Sequence, residues 1–196
     1  SAADVMLKST FYAFFGIILQ LPANVIVEFL GRKNSVVLGN VLNCMYMAII
    51  MMSGSLFDLI IAEFFSSVSF AIKNVAEPSL LNESIPPSRY KSQIYSKISA
   101  KGASGYYALN AISKVVAGAL FVINGYLPVI LSLIFLIIVT ILSIGFIEPI
   151  QKKKKGNVLE IYKTEIQNVK DGFTFILKSE RLKALILCAS LIYALL

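Results

Sequence analysis

The sequence predicts an all-α fold, a polytopic bundle of transmembrane helices, on three observations. Of 196 residues, 57% are hydrophobic and 15% are charged, whereas soluble domains run at about 45–50% and about 25%. The mean hydropathy is +0.78. The apolar residues gather into runs of roughly 17–25 residues, the length a helix needs to cross a bilayer, and the basic residues cluster between these runs.

Taken in order, the first predicted span covers about 10–27 and the second about 35–52. The third, about 56–81, is less pure and carries Asp58, Glu63, Lys73 and Glu77. The fourth, about 94–122, carries Lys97, Lys101 and Lys114. The fifth, about 127–147, is the cleanest, with Leu131-Ser-Leu-Ile-Phe-Leu-Ile-Ile-Val139 at its centre. Together they form a five-span bundle over 1–150. A sixth span starts near Leu182 and is cut by the end of the sequence at Leu196, so 182–196 reads as a truncated helix and the chain as an internal fragment of a longer protein. No basic segment followed by an apolar one opens the chain, so no signal peptide is expected.

The connections sort by charge. Gly31-Arg32-Lys33, the segment 84–93 with Arg89 and Lys91, and the stretch 151–183 are basic, while 53–55 and 123–125 carry no Lys or Arg. Basic and uncharged loops alternate without exception, which places the basic loops in the cytoplasm. Segment 151–181 is too polar to span. It opens on Lys152-Lys-Lys-Lys155, read as a topology anchor that also touches anionic headgroups. Leu159, Tyr162, Ile166, Val169, Phe173 and Ile176 then recur at spacings of three and four, the pattern of an amphipathic helix that lies on the bilayer or against the span ends.

Composition also limits the chemistry. The chain has no His, which removes His-based zinc sites and Ser–His or Cys–His catalysis. Cys44 and Cys188 both sit in apolar runs and read as small hydrophobes. Gly102-Ala-Ser-Gly105 reads as a close-packing helix face rather than a phosphate loop. Neither an enzyme nor a cofactor is expected. The net charge of +7 is assigned to membrane topology, and no nucleic-acid partner is implied.

The first span ends Leu21-Pro-Ala-Asn-Val-Ile-Val-Glu28-Phe-Leu-Gly31-Arg32-Lys33. An acid, two apolar residues and Gly-Arg-Lys between two spans resemble the loop motif of the major facilitator superfamily, Gly-x-x-x-Asp-x-x-Gly-Arg-Lys/Arg. Pro22, Glu28, Gly31, Arg32 and Lys33 match, with Asn24 in place of the motif's first Gly and Glu28 in place of its Asp. Glu77-Pro-Ser-Leu-Leu-Asn-Glu-Ser-Ile85 is similar to the end of the fourth helix in a drug- or macrolide-efflux-like branch. Asn124-Gly-Tyr-Leu-Pro128 and Phe146-Ile-Glu-Pro149 stand at family-like positions around the sixth helix, and 171–183 resembles the lead-in to the seventh.

The resemblance implies that the chain supplies the second to sixth helices of a twelve-helix transporter, its central cytoplasmic loop and the start of the seventh. It further implies a proton-coupled exporter of a small lipophilic compound working by alternating access, a monomer in a bacterial cytoplasmic membrane. Pro22, Glu28, Gly31, Arg32 and Lys33 would form the conformational-switch loop. The alternative is a polytopic sensor or scaffold that transports nothing.

Ionisable residues inside spans are costly and pair or face a cavity. The third and fourth spans run antiparallel, so Glu63 lies level with Lys114 and Glu77 with Lys101, and both read as structural ion pairs. A competing reading has Lys73 and Glu77 facing a cavity and acting on substrate or a proton. At this point both stand.

Overall fold

A computed structural model describes residues 2–148 and 158–195, which fall into two separate compact units, 2–148 in the first and 158–195 in the second. The first holds α1 (Ala2–Leu30), α2 (Arg32–Met52), α3 (Leu56–Ser84), α4 (Lys91–Ile123) and α5 (Leu127–Ile144). The second holds α6 (Val158–Lys178) and α7 (Glu180–Leu195). Every element among the described residues is a helix. Stretches Ser9–Leu30, Arg32–Met52, Lys91–Ile123 and Leu127–Ile144 are long and apolar enough to cross a membrane. Helix α3 has the length but carries the charges anticipated for it. The four lysines at 152–155 lie outside the described residues.

Local chemistry sets the helix ends. Ser55 caps α3: its hydroxyl accepts from the Asp58 backbone N–H at 3.2 Å, and the Asp58 carboxylate accepts from the Ser55 N–H at 3.0 Å. This reciprocal pair satisfies donors that a helix start leaves open. Asn124 Oδ1 accepts from the Tyr126 N–H at 2.9 Å, and Pro128 stands in the first turn of α5, where its missing N–H is no loss.

The core of the first unit is where α3 packs between α1 and α2. Its buried residues are small or branched: Ala23 and Val27 from α1, Val36 from α2, and Ala71, Ile72 and Ala76 from α3. Small side chains let helix axes approach closely, which is how helices associate when lipid competes for apolar contact. At that distance hydroxyls reach the neighbouring backbone. Ser69 Oγ donates to the Gly39 carbonyl at 2.7 Å, tying α3 to α2, and Ser67 Oγ donates to the Tyr12 carbonyl at 3.1 Å, tying α3 to α1. Phe15 and Phe64 add an edge-to-face contact at 5.5 Å. Helix α5 packs on α2, with Cys44 Sγ 3.6 Å from Thr140 Oγ1.

Helix α4 differs. It has no buried residue, and its packing partner is α5. A Cβ at Gly102 or Gly105 would meet nothing within 4 Å, so the small-residue stretch expected to pack closely faces open space.

Candidate functional site

Helices α1 and α2 are joined by one residue, Gly31, at φ +90° and ψ 163°. This φ is open to glycine and strained for side chains with a Cβ. The turn is so short that the first N–H groups of α2 emerge without a local cap. Glu148, three residues beyond the last turn of α5's Gly145 stop, supplies it from across the bundle. Its Oε1 accepts from the Arg32 N–H at 2.7 Å and its Oε2 from the Lys33 N–H at 2.8 Å. A carboxylate at a helix start satisfies open donors and meets the positive end of the helix dipole.

The Arg32 side chain runs the other way. Its Nη2 lies 3.9 Å from Glu28 Oε1, one turn back on α1, and its Nε lies 3.3 Å from Glu83 Oε1 at the end of α3. Arg32 Nε and Glu83 Oε2 are buried without a formed hydrogen bond, so charge attraction holds this contact more than alignment does. One three-residue stretch, Gly31-Arg32-Lys33, thus joins the ends of α1, α3 and α5 to the start of α2. Pro22 lies inside α1 two turns before this node, and Ala23 beside it belongs to the core.

Next to the node, a cavity of about 640 Å³ opens between α2, α3 and α5. Its walls are mainly apolar and include Val36, Leu80, Val139 and Phe146. Its polar lining includes Asn40, Lys73 and Glu77. Lys73 Nζ and Glu77 Oε1 are 3.4 Å apart, one turn apart on α3. The lysine stem crosses α2 at Gly39, where a Cβ would come within 2.6 Å of Lys73 Cγ. Asn40 is 2% exposed, and its Oδ1 has no hydrogen-bond partner. The cavity and the node share the last turns of α3, since Ser84 lines the one and Glu83 joins the other.

The family model described as Major Facilitator Superfamily matches the chain over residues 1–196. The chain belongs to the major facilitator superfamily. It is therefore a multi-pass membrane transporter of a small molecule. No curated protein and no solved structure matches it.

Not all of the facilitator's charged groups meet as the sequence suggested. The Glu77–Lys101 pair is not formed, because the Glu77 carboxylate is held by Lys73 on its own helix. The Glu63–Lys114 pair is not formed either. Glu63 is 4% exposed within α3, while Lys114 stands exposed on α4. Level depth on antiparallel helices makes a pair only if the helices are neighbours, and α4 packs on α5. Lys73 and Glu77 are both among the residues that line the cavity.

Three of the facilitator's site residues had no role assigned from sequence. Glu83 and Glu148 both lie in stretches quoted for family likeness, but their place in the sequence does not set either beside the Gly-Arg-Lys turn. Asn40 sits in an apolar run with nothing to mark it.

Proposed function

We propose that this facilitator is a proton-coupled exporter of a small lipophilic compound, of the drug- or macrolide-efflux-like branch, working by alternating access. The node at Gly31-Arg32-Lys33 is the switch. It ties four helix ends by ionic and charge-assisted contacts, which are made or broken as discrete contacts. Release of Arg32 from Glu83, or of Glu148 from the α2 start, lets those ends separate, and rocking of helix groups is how such transporters expose a site to alternate sides.

Lys73 and Glu77 are the coupling pair. Protonation of Glu77 removes the charge that holds Lys73 and changes the polar lining of the cavity. Mainly apolar walls with few polar groups suit a lipophilic cargo. The single observation that carries this reading is the Lys73–Glu77 pair at 3.4 Å in the wall of a cavity that adjoins the Arg32–Glu83 contact. A proton taken up there acts on the same helix that the switch grips.

The test is transport in vesicles containing the intact protein. An imposed proton gradient should drive efflux of a lipophilic fluorescent cation, and Glu77→Gln should remove the dependence on the gradient. Flux that is gradient-independent in the unaltered protein would refute proton coupling. Absence of flux for a broad panel of lipophilic compounds would favour the non-transporting sensor or scaffold.

A further inference from the structure

Helix α6 has one face that the transport reading leaves unused. At about 100° per residue, Tyr162, Ile166, Val169, Ile176 and Leu177 fall within an arc of about 100°. Lys163 and Lys170 follow at one edge of that arc, while Asp171 stands opposite it. The large apolar side chains are not covered: Tyr162 and Ile166 are each 42% exposed, and Val169 is 48% exposed. The Asp171 carboxylate is exposed and accepts a hydrogen bond from Gln167 at 3.0 Å.

We propose that α6 docks, apolar face down, on an anionic membrane surface, with Lys163 and Lys170 reaching the lipid phosphates. Two features favour lipid over a protein partner. The first is charge sorting: lysines edge the apolar arc, where long stems can follow apolar surface and keep their ends at headgroup level, and Asp171 stands opposite the arc. The tetralysine stretch at 152–155 adds four positive charges just upstream. The second is tethering. Ser179 alone separates α6 from α7, an apolar helix with Leu185, Leu187 and Leu191 each more than half exposed. In a multi-pass membrane protein such a neighbour keeps α6 within reach of the bilayer, so the lipid surface is present at high effective concentration.

The experiment places an environment-sensitive fluorophore at Ile166→Cys or at Asp171→Cys, in intact protein whose Cys44 and Cys188 are replaced by Ser. The protein is reconstituted in phosphatidylcholine vesicles with or without about a third phosphatidylglycerol. The label at 166 should emit to the blue and be quenched by brominated acyl chains, and the label at 171 should do neither. Lys163→Gln with Lys170→Gln should weaken quenching in anionic vesicles, each lysine contributing roughly fivefold to binding. All four positions are exposed, so these replacements empty no core. Equal quenching at 166 and 171 would overturn the proposal, as would indifference to phosphatidylglycerol. A label at 166 that is blue-shifted but untouched by brominated lipid would overturn it in favour of a protein-covered face.

Discussion

A Cβ on Gly31 would stand 2.7 Å from Oε1 of Glu148, the oxygen that accepts the Arg32 N–H. The carboxylate cannot retreat from a side chain at position 31 without giving up the cap on α2. Gly31 is thus required twice, for its positive φ and for the space it leaves. Gly31→Ala should cost about 1–3 kcal/mol from backbone strain, and loss of the cap should add about 0.5–2 kcal/mol. Thermal unfolding of the purified protein would show the loss. Glu148→Ala should destabilise alone, yet add little on top of Gly31→Ala, because the two share one contact.

Arg32 offers a second test. Its partners Glu28 and Glu83 are mostly covered, with side-chain exposures of 21% and 22%. Arg32→Ala leaves two acids without their shared cation. The cost should lie between that of surface and buried pairs, about 1–3 kcal/mol. Arg32→Lys should recover only part of it, since an ammonium is a point charge and the guanidinium reaches two carboxylates from two nitrogens. A double-mutant cycle with Glu83→Ala measures the coupling, and a value near zero would show that the contact contributes nothing.

The α2–α3 crossing should be intolerant of added volume at Gly39. The Ser69 hydroxyl holds the Gly39 carbonyl at 2.7 Å, so the helices cannot slide apart freely, and Lys73 Cγ occupies the space a methyl would need. Gly39→Ala should cost about 1–3 kcal/mol, the usual range for overpacking. Lys73→Ala should relieve most of that cost. Equal unfolding temperatures for Gly39→Ala and unaltered protein would show that the lysine stem moves aside without penalty.

Transport should separate the switch from the coupling pair. Gly31→Val should slow flux with little change in apparent substrate affinity, because residue 31 lies at the node and not in the cavity wall. Glu77→Gln should leave exchange of substrate across the membrane intact and abolish its response to a proton gradient. Parallel loss of affinity in Gly31→Val would remove the distinction between the two sites.

Loop orientation is open to direct labelling. In whole cells, with Cys44 and Cys188 replaced by Ser, an impermeant thiol reagent should modify Ser55→Cys and spare Arg89→Cys. Both positions adjoin helix ends, and Ser55 and Arg89 lie at opposite ends of α3. Labelling at 89 and not at 55 would reverse the inferred topology.

The sequence by itself determined the helical membrane character, the approximate helix bounds, the charge alternation of the loops and the Gly31 turn. These are local properties. Hydropathy sums along a run, a span has a fixed length, and a lone Gly between two apolar runs leaves few conformations for the joint. The tertiary structure alone decided which helices are neighbours, and with that every partnership across the bundle. Depth alone matches Lys114 to Glu63 and Lys101 to Glu77, but depth is one coordinate, and α4 packs beside α5. The Lys73–Glu77 pair needed only the spacing of four within one helix. Glu148 meets Arg32 across 116 residues of sequence, because α5 packs along α2 and the segment that follows α5 carries this acid to a helix start left without a cap. No period or composition in the chain encodes that meeting; it arises when the helices close on one another and the open N–H groups must find an acceptor.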